Sequence, residues 1–205
     1  MEKVLSDRLI FWIVLIIVAM LISTIIFIRS NNKPAFRDNV GEMIKYFPNR
    51  KMTKVFKNGS ENEGFTHIVD KVKGGKVQIK QVDLLTRVVM VYDISESNVR
   101  LIYTKEVGNN QYEDDYINGI VPNRDDIVIK APVVVGTKWG DDDEGIYEII
   151  KTDAVVQTPA GEFNAIIVKY TNEDFTVKEY YAEGIGLIKI VVNNYGVYEL
   201  EQITE

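Results

Sequence analysis

The chain has 205 residues, with 24 Lys and Arg against 30 Asp and Glu, one histidine, no cysteine and a formal net charge of −6. That inventory excludes disulfides, thiol nucleophiles, a lipidated cysteine and any multi-histidine zinc site built within one chain. Beyond residue 57 no basic face is visible in the sequence, which argues against a nucleic-acid partner, because binding phosphates needs clustered cations.

The first element is the run LIFWIVLIIVAMLISTIIFI at 9–28, which carries no charge. At about 1.5 Å per residue it reaches ~30 Å as a helix, the thickness of a bilayer's hydrocarbon core. Apolar on every face, it lacks the polar stripe of a globular helix. It leaves through Ile26, Phe27, Ile28 and Arg29, with no small-residue cleavage site of the kind that ends a secretory signal. The expected organisation is a cytoplasmic tail at 1–8, a transmembrane helix at 9–28 whose partner is the lipid bilayer, a basic juxtamembrane linker at 29–43, and a β domain at 44–205. Flanking cations nearly balance (Lys3 and Arg8 before the helix; Arg29, Lys33 and Arg37 after it), so charge alone does not orient the helix. The layout of short tail, helix and folded domain is that of an uncleaved signal-anchor. It places the protein in the cell membrane as a single-pass chain with its domain outside the cell.

Charge is unevenly spread. Residues 29–57 hold eight cations (Arg29, Lys33, Arg37, Lys45, Arg50, Lys51, Lys54, Lys57) against Asp38 and Glu42, a balance of +6 that leaves −12 for the rest. Such a collar beside a membrane suits anionic headgroups or wall polymers; equally, it reads as a stop-transfer flank running into a solvated strand.

After one or two helical turns at 39–46, ended by Pro48, the apolar period becomes two. Strands are expected at 51–57, 65–73, 76–82, 86–94 and 99–106, with Asn58-Gly59 and Gly74-Gly75 as turns. Residues 107–126 read as a long polar loop. Further strands are expected at 126–130, 145–157, 162–171, 175–182, 187–192 and 197–203, joined by short turns. The fold class is therefore mainly β. An antiparallel meander of this size closes into a barrel-like domain, a half-open barrel or a sandwich, since large flat sheets are disfavoured.

Four phrases carry a resemblance: Tyr46-Phe47-Pro48; Val133 through Trp139 (VVVGTKW); Thr158 through Phe163 (TPAGEF); and Tyr180 through Lys189 (YYAEGIGLIK). Together they resemble a family of uncharacterised exported β-rich domains of Gram-positive lipoproteins and surface proteins, over about 44–203. The resemblance implies a cell-envelope domain, akin to half-open-barrel lipoprotein-carrier folds, with no assigned activity. This chain departs from it by placing a helix where many relatives carry a lipidated cysteine. The same residues have structural readings: Pro159 and Gly161 suit a hairpin turn, and Gly184 and Gly186 suit a bulge or a barrel corner. Trp139 is expected to cap the core.

No Gly-x-Ser-x-Gly elbow, phosphate loop or dinucleotide fingerprint occurs, so no catalytic or cofactor-binding residue is nominated. His67 alternates with Phe65 and Val69 and is expected to be a hydrogen-bonded, partly buried side chain rather than a general base. The one metal candidate is a calcium loop at Asp141, Asp142, Asp143 and Glu144, helped by Glu113, Asp114 and Asp115 or by Asp125 and Asp126. Its spacing is not that of an EF-hand, and it also reads as a solvated hairpin tip. The function expected is a binding module for an apolar or envelope-derived ligand. The alternatives are a structural or protein-interaction subunit of an envelope complex and a hydrolase using an unrecognised carboxylate pair.

Overall fold

The computed structural model describes residues 43, 45–59, 64–111, 114–193 and 196–205. The expected transmembrane run at 9–28 and most of the basic linker lie outside these residues. Contacts divide the chain after Phe36, and every described residue belongs to the unit Arg37–Glu205.

Twelve antiparallel strands are described. The first six are β1 (Met52–Asn58), β2 (Gly64–Lys73), β3 (Lys76–Val82), β4 (Arg87–Ile94), β5 (Asn98–Glu106) and β6 (Asp126–Lys130). The last six are β7 (Lys138–Asp141), β8 (Gly145–Thr158), β9 (Gly161–Thr171), β10 (Thr176–Ala182), β11 (Gly186–Val192) and β12 (Gly196–Thr204). Their order in the sheet is β6-β5-β4-β3-β2-β1-β12-β11-β10-β9-β8-β7. Two six-stranded meanders are thus joined through the first and last strands, from Thr53↔Thr204 to Asn58↔Tyr198. The two outer edges, β6 and β7, approach each other where the Trp139 indole Nε1 donates to Ile127 O at 2.8 Å, so the sheet forms a nearly closed barrel. The expected mainly β, barrel-like architecture is present.

β7 was not among the expected strands. Its four residues, Lys-Trp-Gly-Asp, are too short to show a period, and Gly140 sits at φ +92° where a Cβ would collide with Gly145 O. Pairing with β8 supplies what the residues do not announce. Trp139 caps the core as expected, and it also bridges the seam between the two sheet edges.

Two apolar clusters hold β8 to β12 against the rest. On β9, Ile166 and Val168 enter a cluster with Met43, Phe47, Met52, Ile79, Ile129 and Ile149, whereas Ala165, Phe163 and Ile167 enter another with Phe56, Ala154, Val156, Ile188 and Leu200. Burial on both faces explains why this strand reads AIIV instead of alternating. The entry segment passes the turn between β10 and β11: Gly184 N donates to Lys45 O at 2.5 Å, and Gly186, at φ +77°, lies against the Pro48 ring with no room for a Cβ. The corner expected at Gly184 and Gly186 is therefore set by a crossing segment.

Residues 107–126 are not a free excursion. Val107, Tyr116 and Ile117 pack on Val89 and Val91 to form a third cluster on the outer face of the sheet. Gln78, fully buried on β3, pins this strap: its Oε1 accepts from Tyr116 N at 2.8 Å, and its Nε2 donates to Asp114 O and to both Asp70 oxygens at 3.2 Å. The returning leg continues the edge of β5, with Asn123 Oδ1 accepting from Thr104 N and Asn123 Nδ2 donating to Thr104 O.

Gln78→Ala leaves the buried Tyr116 amide without a partner, which costs about 2 kcal/mol. The expected result is a lowered urea midpoint and fast hydrogen exchange at Tyr116. Unchanged protection of that amide would show that the strap is held by packing alone.

Candidate functional site

Antiparallel order sorts the connections between two ends of the barrel. The turns β1–β2, β3–β4, β7–β8 and β9–β10 lie at one end; β2–β3, β4–β5, β6–β7, the entry segment 45–51 and Glu205 lie at the other.

The β3–β4 turn is built by one carboxylate. Asp83 Oδ1 accepts from Leu85 N at 2.8 Å and Thr86 N at 2.7 Å, Oδ2 accepts from Thr86 Oγ1 at 2.8 Å, and Asp83 N donates to Thr86 O at 3.1 Å. The Leu85 amide and then the Thr86 donors hold this carboxyl below the usual carboxylate range. A turn closed in this way fixes its two central residues facing outward, and Leu84 and Leu85 are 82% and 93% exposed. Isolated exposed leucines are ordinary, but an adjacent pair on a rigid tip is an apolar patch that water solvates poorly.

Beside the tip lies an open cleft of about 380 Å³, lined by Gly64, Phe65, Gln81, Thr86 and Tyr198 with the two leucines. Phe65 stacks on Phe56 at 4.6 Å and tilts against Tyr198 at 5.7 Å. Behind the cleft, His67 contacts Phe65 and Phe56 with centroids 4.9 and 5.3 Å away, and its Nε2 lies 3.0 Å from Gln81 Oε1. Burial, and next the charge of Lys54, push the imidazole down to about 3, so it is neutral and Nε2 donates to Gln81. The expected hydrogen bond of His67 is present, and the side chain is more deeply buried than the partly buried position expected, at 5% exposed.

Lys54 is the cross-strand neighbour of His67 and only 1% exposed. Its ammonium donates to Ile185 O and Leu187 O, each at 3.0 Å, and lies 5.5 Å from the Phe56 centroid. Burial lowers it to about 7. Sequence reading counted Lys54 among the collar cations; the structure corrects this, because the inward face of β1 carries Met52, Lys54 and Phe56. Lys57 also leaves the collar: it sits at the leucine end and pairs with Glu201 at 2.7 Å. The cleft therefore has an aromatic wall of Phe65 and Tyr198, polar lining from Gln81, Thr86 and the Asp83 carboxylate, and the two leucines at its lip.

A second polar group lies within the first apolar cluster. Tyr181 Oη donates to Glu179 Oε2 at 2.7 Å, and burial raises the Glu179 carboxyl. Tyr147 is pushed up to about 12 by burial and by Glu179, and Tyr92 and Tyr181 are raised for the same two reasons. The partner of Glu179 is a phenol, not a second carboxylate.

Asp141, Asp142, Asp143 and Glu144 form the exposed β7–β8 tip, where Asp141 Oδ1 accepts from Asp143 N at 3.1 Å and Glu144 N at 2.7 Å. Asp115 and Asp125 lie elsewhere: Asp115 closes the turn at Ile117 and Asn118, and Asp125 pairs with Arg100. Among the described residues, no three His, Asp or Glu side chains are grouped to hold a metal ion. The leucine tip was not among the expected sites. Its sequence signal, Asp-Leu-Leu-Thr between two strands, was readable as an Asp-closed turn with apolar central residues.

No family model and no curated protein matches the chain. Among solved structures, it is similar to an exported protein with a YmcC-like fold from Bacteroides fragilis, at 18% identity and a TM-score of 0.48, over 78% of this chain and 99% of that one. It is also similar to a lipoprotein from Parabacteroides distasonis, at 15% identity and a TM-score of 0.48, over 78% and 98%. At that overlap the likeness transfers neither ligand nor activity. Neither description supports the Gram-positive part of the resemblance drawn from the sequence.

The two buried bases set the pH dependence of stability. Between the ordinary lysine value and about 7 the unfolded chain holds a proton that folded Lys54 has released, so stability rises with pH across that window. Between 6.5 and about 3 the unfolded chain takes up a proton that folded His67 refuses, so stability falls as pH drops. Urea midpoints from pH 4 to 9.5 are expected to climb in the wild type. Lys54→Met should flatten the limb above pH 7, and His67→Gln part of the acid limb. Parallel wild-type and variant profiles would contradict both assignments. Glu179 has the opposite sign, since its folded carboxyl keeps a proton that the unfolded one loses; Glu179→Gln is expected to raise the midpoint at pH 8 while leaving pH 4 nearly unchanged.

Proposed function

We propose that this protein is a membrane-anchored binding module, tethered by a helix at 9–28 and displayed outside the cell, that takes an apolar ligand at the leucine-tipped cleft. The observation that carries this reading is the pair Leu84 and Leu85, held in water by the Asp83 turn against the wall formed by Phe65 and Tyr198. Moving two leucine side chains out of water is worth roughly 1.5–3 kcal/mol each. Their rigid presentation means that a ligand need not order them first.

The site favoured here is a surface cleft rather than a lumen. Side chains from β1, β2, β3 and β5 through β10 meet in one apolar cluster across the interior, which leaves the rim as the better-supported place for a ligand. Attachment of partner subunits along open sheet edges has less support, because the β6 and β7 edges meet at the Trp139 indole. The hydrolase reading also has less support, with Glu179 partnered by Tyr181.

The test uses the full chain in nanodiscs titrated with dansyl-undecanoic acid, corrected for empty discs. Saturable binding with a blue shift is expected for the wild type, and a loss of at least tenfold for Leu84→Ser with Leu85→Ser and for Phe65→Ala. Equal binding by the leucine variant would overturn the cleft as the site.

A further inference from the structure

The two ends of the barrel differ in charge far more than the sequence order suggests. At the leucine end, the β3–β4, β7–β8 and β9–β10 tips carry seven carboxylates (Asp83, Asp141, Asp142, Asp143, Glu144, Glu173, Asp174) and the cation Arg87, while Lys57 at the end of β1 is paired with Glu201. The opposite end gathers Lys45, Arg50 and Lys51 from the entry segment, Lys73 and Lys76 from β2–β3, and Lys130 and Lys138 from β6–β7, against Asp93, Glu96, Glu148, Glu183 and Glu205. Some of these cations are paired: Arg50 with Glu205, Lys76 with Asp93 at 3.5 Å and Lys138 with Glu148 at 3.8 Å. Lys45, Lys51 and Lys130 have no carboxylate partner among the described residues.

At the basic end, between Lys130 and Lys138, the turn exposes a second apolar pair. Val134 and Val135 are 52% and 62% exposed. Their turn is held by Val134 N donating to Pro132 O at 2.9 Å, Thr137 Oγ1 to Pro132 O at 2.7 Å and Gly136 N to Ile149 O at 2.8 Å. The chain also enters the barrel at this end, 14 residues after the apolar run at 9–28. Fully extended, that linker spans at most about 50 Å, which leaves the basic end of a domain tethered by 9–28 within reach of the bilayer surface.

From these observations we infer that the basic end, with Val134 and Val135 at its centre, is a docking face for the anionic headgroup surface of the bilayer that holds the chain's own anchor. Cations close to an anionic leaflet contribute ~1 kcal/mol each, and valines at headgroup depth add apolar burial. The seven carboxylates of the far end are repelled by the same surface. Both effects turn the leucine cleft away from the membrane. This replaces a collar read along 29–57 with a face assembled from three separate parts of the chain, from which Lys54 and Lys57 are excluded.

The chain contains no cysteine, so single cysteines report position without a background. The experiment labels full-length Val135→Cys and, separately, Leu85→Cys with a nitrobenzoxadiazole dye. Each is placed in nanodiscs of phosphatidylcholine, with or without one third phosphatidylglycerol, containing lipids spin-labelled at shallow depth. The expected result is quenching at position 135 at least threefold stronger with phosphatidylglycerol, abolished by half-molar salt and by Lys73→Glu with Lys130→Glu, and no quenching at position 85. Three results would overturn the proposal: quenching at 135 that ignores lipid charge, quenching at 85 instead, or none at either position. The dansyl titration is read at the other end of the barrel, so its failure and failure here are separable.

Discussion

The pairing of β1 with β12 is the constraint on which the rest of the molecule depends. Each meander alone would be an open six-stranded sheet with two exposed edges, and the pairing from Thr53↔Thr204 to Asn58↔Tyr198 removes one edge from each. Because these strands lie at opposite ends of the domain sequence, closure carries the largest loop entropy in the fold. Its return is the apolar surface that only the joined sheet can cover. Phe56 and Leu200, directly opposed across this junction, belong to the cluster that also holds β8, β9, β10 and β11.

Polar groups buried at the junction give it a specific geometry. Lys54, on the inward face of β1, holds the carbonyls of Ile185 and Leu187 just where β11 begins, and so ties the first meander to the turn after β10. Gln78 does the same on the outer face for the 107–120 strap. A buried side chain with all its partners selects one arrangement, because every alternative leaves a desolvated group unmatched. Both lie on strands whose inward and outward positions follow a period of two, yet the polarity of each contradicts its burial.

The two ends of the barrel are chemically different as a result of topology. Antiparallel strands send alternate connections to opposite ends, so the acids of the β3–β4, β7–β8 and β9–β10 tips gather at one end while Lys45, Lys51, Lys73 and Lys130 gather at the other. An apolar pair sits at each end, Leu84 with Leu85 and Val134 with Val135, each on a turn closed by its own hydrogen bonds. The cleft proposed at one end and the membrane-docking face inferred at the other do not compete for the same surface.

The amino-acid sequence by itself determined the strand class and most strand positions. β3 and β6 coincide with their expected spans, and most of the other expected strands differ from theirs by one residue, because period-two alternation and Gly-rich turns act locally. It also indicated a hydrogen-bonded, partly buried His67 and a Trp139 that caps the core, and its lack of cysteine excludes thiol chemistry. Only the tertiary structure decided that β7 is a strand, that residues 107–111 and 114–120 pack back on the sheet, that Lys54 leaves the surface, and that the β3–β4 turn becomes the wall of a cleft. Each of these depends on a partner far away in the chain: β8 pairing for Trp139, Gln78 for Tyr116, Ile185 and Leu187 for Lys54, and Phe65 and Tyr198 for the leucines. Local periodicity reports which way a side chain points, and long-range closure alone determines what it meets.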